Sequence, residues 1–394
     1  MELPIKRPDR IVPDYSLTGD VLSFSRCQRS YRYYNGSALP PSRPVQMWYG
    51  EFIHGMMERT FRLWQDRGGL PFPLPYTAIT ENDMPGEPPA GIDALDLRVV
   101  GWPIEQALAH QGKFARSADA RISAYERAEA AVNQLGPHLF PLIDVAERKV
   151  LGTRPLPASE VHLAERAARY VLQGIIDVLG HTQLDGQPSE NAIKRAIMAA
   201  NPHLTGEYEI IIDYKGSRRP RVDDDPRGDW KLGEWQVQTY AWLRSQQVDA
   251  RPVAAGILIY VSELAPGSKE MTMLSTEMRN GWTDIVPTTG TPDYYQVSGW
   301  TPGSQANLSL PFRLQRAIRV IPVTEASMAE ATAAIDGVVR TIEDRVAHER
   351  QSMQIKQSWP ADSNDDDTCV ACDFRVSCEH YNDPTRRRRG RGPS

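Results

Sequence analysis

GEYEIIIDYKGSRRP, residues 206–220, is the stretch that decides the fold. Its β-branched run from Ile210 to Ile212 is typical of a buried strand. The run ends in Asp213 and continues through Tyr214 to Lys215. Because side chains alternate along a strand, Asp213 and Lys215 lie on the same face of the sheet. The stretch therefore predicts a buried strand that ends with an acid and a lysine side by side.

The acid-x-lysine spacing occurs three times in the chain and is not specific by itself. The other two copies begin at Glu147 and Asp229. Glu147 has Asp144 three residues before it, too close to be an acid from a separate converging strand. Asp229 lies in a loop rich in glycine, proline and charge, with no strand before it. We therefore exclude both copies and keep Asp213 as the acid.

A second carboxylate, Asp177, follows an apolar run in GIIDVLG, residues 174–180. Two adjacent strands that end in acids can bring their carboxylates close together. The two charges then repel each other unless one is protonated or a cation lies between them. Carboxylate oxygens suit Mg²⁺ or Mn²⁺. A lysine beside such a cation can orient a water or offset charge on a phosphodiester.

Size, charge and hydrophobicity restrict the class of protein. The 394 residues are enough for one large domain with insertions or for two domains. The net charge of −5 predicts that any nucleic-acid surface is local. The longest apolar run, AAGILIYV, is far shorter than the roughly twenty residues of a membrane span. The N-terminus has no apolar signal-peptide core, so we expect a soluble, cytoplasmic protein without a membrane partner.

Strand and helix patterns alternate in the middle of the chain. VAERKVLGT, ARYVLQGIIDVLG, EYEIIIDYKG and AAGILIYVS are strand patterns, while SENAIKRAIMAAN and GEWQVQTYAWLRSQQ are helix patterns. This alternation predicts an α/β core with a mixed sheet. Residues 265–322 look irregular and predict a β-rich insertion, followed by a long helix that Thr324 caps. The chain has no GxxxxGK[ST] phosphate loop, so no ATPase is predicted.

The four cysteines are Cys27, Cys369, Cys372 and Cys378. In a reducing compartment, clustered cysteines are more often metal or cluster ligands than disulfides. Four thiolates suit Zn²⁺ as well as a [4Fe–4S] cluster, and the distant first cysteine does not decide between them. In either case the ligands would join the two ends of the chain by closing a very long loop.

Taken together, these motifs resemble the PD-(D/E)XK nuclease superfamily, and within it the RecB-like branch with AddB-type and CRISPR-adaptation nucleases. The resemblance implies that Asp177, Asp213 and Lys215 are the catalytic residues. It also implies that His54, in GEFIHG, binds the metal together with Asp177, Asp213 and the main-chain carbonyl of Tyr214.

Two further motifs carry the resemblance. The branch has a Q-x-x-x-Y motif on the helix after the lysine strand, which corresponds here to Gln236 and Tyr240, with Gln238 as the alternative in a shifted register. It implies that these side chains position the DNA strand. The iron–sulfur members have one early cysteine and a late C-x-x-C-x5-C group, which favours a [4Fe–4S] cluster over zinc. Gln28 stands where the family often has a proline after the first cysteine.

The resemblance implies a restriction-endonuclease-like α/β core, in which helices flank a mixed central sheet, with helical insertions and a C-terminal cysteine clasp. The predicted segments are N-terminal helices with the first cysteine and the histidine motif (1–65), an inserted loop and helical lobe (66–140), the nuclease core (141–265), an insertion (266–322), a C-terminal helix with the iron–sulfur clasp (323–381) and a basic disordered tail (382–394).

The implied function is a metal-dependent DNA nuclease that uses Mg²⁺ or Mn²⁺. The relatives indicate an exonuclease that acts on single-stranded or frayed DNA ends in repair, recombination or defence, with a helicase or another defence subunit as partner. One alternative is a non-catalytic nucleic-acid-binding scaffold with the same fold and cluster, although the intact acids and lysine argue against it. The other is a zinc-binding protein with accidental motif matches.

Overall fold

The computed structural model describes residues 12–37, 39, 45–87, 89–159, 167–183, 186–204, 206–222, 228–363 and 366–383. Residues 384–394 of the predicted basic tail lie outside the described residues. The strands are β1 (Asp14–Ser16), β2 (Ile143–Pro155), β3 (Arg169–Gln183), β4 (Glu207–Lys215), β5 (Val253–Tyr260) and β6 (Ile318–Pro322).

Helices surround these strands along the whole described chain. They are α1 (Ser23–Arg26), α2 (Gln28–Tyr31), α3 (Val45–Asp66), α4 (Leu97–His110), α5 (Ala118–Ala130), α6 (Gly136–Leu139), α7 (Ala192–Ala200), α8 (Asp229–Ser245), α9 (Ser268–Asn280), α10 (Pro292–Ser298), α11 (Leu310–Ala317), α12 (Glu325–Ser352), α13 (Ile355–Ser358), α14 (Asp366–Ala371) and α15 (Glu379–Asn382).

The six strands form one mixed sheet. Five of them lie in the order β1-β3-β4-β5-β6, and β2 also pairs with β3. β4 pairs antiparallel with β3 and parallel with β5, so neighbours satisfy both of its edges. A parallel pair needs a crossover connection, and α8 supplies it between β4 and β5. The predicted α/β class, a mixed sheet flanked by helices, is confirmed.

Helices cover both faces of the sheet. Ile210 and Ile212 of β4 pack on the face that α3, α5 and α7 cover, whereas Ile211 packs on the face that α8 and α12 cover. All three isoleucines are fully buried. Because side chains alternate along the strand, Asp213 and Lys215 point to the same face as Ile211. The apolar run of β4 thus directs the acid and the lysine towards α8.

The prediction that residues 265–322 are β-rich is wrong. This segment forms α9, α10 and α11, and its last residues form β6, which pairs antiparallel with β5. Thr291 and Ser309 cap α10 and α11, and each helix has a proline in its first turn. Proline is tolerated there because the first N–H groups of a helix have no intrahelical partner. The prolines that make this segment look irregular in the sequence therefore lie at the starts of helices.

One other local prediction is confirmed. The Thr324 side chain caps α12 by accepting a hydrogen bond from the Ser327 N–H. In the N-terminal segment, helix breaks at Cys27, whose extended backbone separates α1 from α2. Within the described part of the chain, no helix is long and apolar enough to cross a membrane.

Candidate metal centre

Strand register lines up three carboxylates across β2, β3 and β4. Ala146 pairs with Val178, and Arg148 with Ile176, so Glu147 of β2 lies opposite Asp177 of β3. On the other edge of β3, Val178 pairs with Ile212, and the next position in that register sets Asp177 beside Asp213 of β4. Asp177 therefore lies between the two other acids. 

His54 joins Asp177 from the helix above the sheet. It lies on α3, whose apolar side packs in the core against β4. His54 Nδ1 is 3.4 Å from Asp177 Oδ2, and Nε2 is 3.0 Å from the Tyr214 carbonyl oxygen. The imidazole ring also packs edge-on against the Tyr214 ring. The structure thus brings together the predicted ligands His54, Asp177 and the Tyr214 carbonyl.

The Asp177 carboxylate is largely shielded from water. Its side chain is 14% exposed, and Oδ2 accepts a hydrogen bond of 3.0 Å from the Tyr214 N–H. Burial, and then repulsion by the Asp213 carboxylate, raise the pKa of Asp177 to about 7, while His54 acts in the opposite direction. A bound cation would remove both causes, because it replaces lost solvation and offsets the repulsion.

Asp213 and Lys215 form an ion pair on the α8 side of the sheet. Asp213 Oδ2 lies 2.7 Å from Lys215 Nζ, and the two side chains are 5% and 26% exposed. Gln236 of α8 bridges the pair: its Nε2 donates to Asp213 Oδ1 at 2.6 Å, and its Oε1 accepts from Lys215 Nζ at 2.5 Å. Both carboxylate oxygens of Asp213 therefore have a partner, Gln236 for Oδ1 and Lys215 for Oδ2.

The Q-x-x-x-Y residues lie beneath the site. Gln236 contacts Asp213 and Lys215, and these contacts favour Gln236 over Gln238 as the residue of the motif. Gln236 and Tyr240 are 3% and 2% exposed. DNA positioning by these residues stays a prediction, and their burial favours an effect transmitted through Asp213 and Lys215 over a direct strand contact.

Glu147 is the residue that sequence reasoning missed. We excluded it because Asp144 is so close in sequence, but the relevant acid comes from another strand. One ligand atom each from His54, Glu147 and Asp177 lie within 4.8 Å of one another. The sequence predicted both strands, and a prediction that VAERKVLGT pairs with the strand of Asp177 would have placed Glu147 beside Asp177.

The donor set fits a hard divalent cation. It offers the carboxylates of Glu147 and Asp177, one imidazole and a main-chain carbonyl. Oxygen-rich ligands with one histidine suit Mg²⁺ or Mn²⁺ better than soft metals. The residues would hold such an ion between the middle of β3, the end of β4 and the middle of α3.

The segment that contains Cys27 lies beside the segment that contains the three other cysteines. Arg29 Nη1 is 2.5 Å from Glu379 Oε1, and Tyr34 donates to Asp373 at 3.0 Å. Burial raises the pKa of the Cys372 thiol, and the charges of Cys27 and Cys378 raise it further. The early cysteine therefore lies beside the late ones, as the clasp requires.

Residues 204–379 match the sequence profile of the PD-(D/E)XK nuclease superfamily. The matched segment contains β4 with Asp213 and Lys215, α8 with Gln236, and three of the cysteines. His54 and Asp177 lie before it in sequence and join it through the sheet. No curated protein matches the chain.

Proposed function

We propose, from the PD-(D/E)XK nuclease domain of residues 204–379, that this protein is a divalent-metal-dependent deoxyribonuclease. One observation carries the proposal. The imidazole of His54, the Asp177 carboxylate and the Tyr214 carbonyl converge within hydrogen-bond or ion-pair distance, beside the Asp213–Lys215 pair. A cation site and a lysine close together are the parts that phosphodiester hydrolysis needs.

Each residue has a distinct role in this mechanism. His54, Asp177, Asp213 and the Tyr214 carbonyl would hold Mg²⁺ or Mn²⁺. When bound, the ion supplies Lewis-acid polarisation of the scissile phosphate. The ammonium group of Lys215 orients the attacking water and offsets negative charge on the phosphate as the new P–O bond forms.

Gln236 keeps Lys215 in place. Its amide contacts both partners of the Asp213–Lys215 pair, and it is buried on α8. A rigid support of this kind matters because a small displacement of a catalytic group lowers the rate strongly. We expect Gln236 and Tyr240 to influence the position of the DNA strand indirectly, because they support Lys215.

The finer substrate assignment rests on the RecB-like resemblance. His54 on an upstream helix and the Q-x-x-x-Y motif support that branch, whose members indicate exonuclease action on single-stranded or frayed DNA ends. Repair, recombination or defence is then the biological setting, with a helicase or another subunit as partner.

We further propose that Cys27, Cys369, Cys372 and Cys378 hold a [4Fe–4S] cluster. The C-x-x-C-x5-C spacing supports it, as do the contacts of Arg29 with Glu379 and of Tyr34 with Asp373, and a single zinc ion is the alternative. The cluster would have a structural role, because it would close a loop across nearly the whole chain.

The test is cleavage of end-labelled single-stranded and double-stranded DNA by the full chain, with Mn²⁺ or with a chelator. We expect degradation from the ends of single strands with Mn²⁺ and none with the chelator. Asp177→Asn and Asp213→Asn should each abolish cleavage. DNA binding without cleavage under every metal condition would instead favour the non-catalytic scaffold.

A further inference from the structure

We propose that Glu147 is a further carboxylate ligand of the divalent cation, and that β2 therefore contributes to the metal centre. This inference rests on the proposed function and extends the ligand set by a third strand. Its starting point is geometric: ligand atoms of His54, Glu147 and Asp177 all lie within 4.8 Å of one another.

The sheet holds Glu147 in this place at a cost. Glu147 lies opposite Asp177 in the β2–β3 register, and like charges directly opposite each other destabilise a strand pair. Its backbone φ is 56°, a left-handed conformation that is uncommon for a residue other than glycine. Glu147 therefore has both an unfavourable backbone conformation and an unfavourable charge contact, and its carboxylate lies close to Asp177. A cation shared by the two carboxylates would offset the repulsion.

The neighbouring side chains leave Glu147 available. His54, Glu58, Glu147 and Asp177 line one small cavity. Glu58 is already paired with Arg62, whose Nε and Nη2 are 3.0 and 2.5 Å from its Oε1. Glu147, in contrast, makes no hydrogen bond or ion pair with any residue that the structure describes. The cavity thus contains two acids that already have a hydrogen-bond partner, Glu58 and Asp177, and one that has none among the described residues, Glu147.

The position of Glu147 complements that of Asp213. The two acids flank Asp177 on opposite edges of β3. Asp213 is already partly neutralised by Lys215 at 2.7 Å. Glu147 is exposed and makes no ion pair with a described residue; His54 and Arg62 lie near it without pairing with it, and its carboxylate remains open to the metal. The expected consequence of its removal is weaker metal binding.

The experiment is calorimetric titration of the full-length protein with Mn²⁺. Glu147→Gln keeps the shape of the side chain and removes the charge, and it should weaken Mn²⁺ binding by at least about tenfold, as loss of metal-site residues typically does. Glu58→Gln is the matched control in the same cavity and should bind Mn²⁺ as the wild type does. Asp177→Asn should bind Mn²⁺ weakly or not at all.

A second measurement separates metal binding from a structural role. Without metal, Glu147→Gln should unfold at the same temperature as the wild type or at a higher one, because it removes like-charge repulsion. Glu147→Asp retains the charge and should bind Mn²⁺ more tightly than Glu147→Gln. Wild-type affinity in Glu147→Gln, together with weakened binding in Asp177→Asn, would overturn the role of Glu147 and leave the nuclease proposal intact. Wild-type affinity in both would remove the proposed metal site itself.

Discussion

Replacement of Lys215 by methionine separates the two roles of the Asp213–Lys215 pair. The variant keeps the length of the side chain and removes its ammonium group. In the native protein that group is 2.7 Å from Asp213 Oδ2 and 2.5 Å from Gln236 Oε1. Asp213 is 5% exposed, so its charge has little access to water once Lys215 is gone.

Two magnitudes follow from this geometry. Loss of a group that stabilises transition-state charge lowers the rate by about 10²–10³-fold, or about 3–4 kcal/mol. Removal of one partner of a buried ion pair costs about 3–5 kcal/mol of stability, and the partial exposure of Lys215 puts the loss at the lower end. Mn²⁺ can replace the missing charge beside Asp213. Mn²⁺ stabilises every form that binds it, so it reduces the loss relative to the wild type only if Lys215→Met binds it more tightly, and each tenfold gain in affinity recovers about 1.4 kcal/mol at saturating Mn²⁺.

The assays are cleavage of end-labelled single-stranded DNA and urea unfolding, each with and without Mn²⁺. Lys149→Met is the matched control, because Lys149 has the same acid-x-lysine spacing but is exposed on β2. It should keep wild-type activity and stability. Wild-type cleavage by Lys215→Met would refute the catalytic assignment. A stability loss that Mn²⁺ does not reduce would refute the placement of the cation beside Asp213.

Gln236→Ala should lower kcat for DNA cleavage by about 10²-fold with little change in KM, because it misplaces Lys215; a rise in KM alone would indicate a direct strand contact instead. Wild-type protein purified without oxygen should contain iron and acid-labile sulfide in near-equal amounts, and Cys378→Ala should lose both; one zinc per chain without sulfide would exclude the cluster. Gly174→Ala puts a Cβ 2.5 Å from Tyr240 Cε1, so overpacking should cost about 1–3 kcal/mol in urea unfolding. Its control, Gly337→Ala, has no atom within 4 Å of the new Cβ and lies inside α12, so it should gain up to about 1 kcal/mol.

The sequence by itself determined the elements that local chemistry controls. The β-branched run Ile210–Ile212 predicted β4, and Thr324 predicted the start of α12, because strand burial and helix capping depend on neighbouring residues. It also predicted that Asp213 and Lys215 share a face, since alternation along a strand is a local property. Local reasoning was wrong where two signals competed: prolines within 265–322 start helices there and do not interrupt strands.

The tertiary structure decided which distant residues share the site. Glu147 reaches Asp177 only through the register of β2 on β3, and a shift of one residue would point it to the other face. Gln236 reaches Lys215 only because α8 crosses back over the sheet between β4 and β5. Register and helix docking depend on contacts far apart in the chain. The motif therefore named Gln236 without showing its contact with Lys215, and the residues around Glu147 did not show its place beside Asp177.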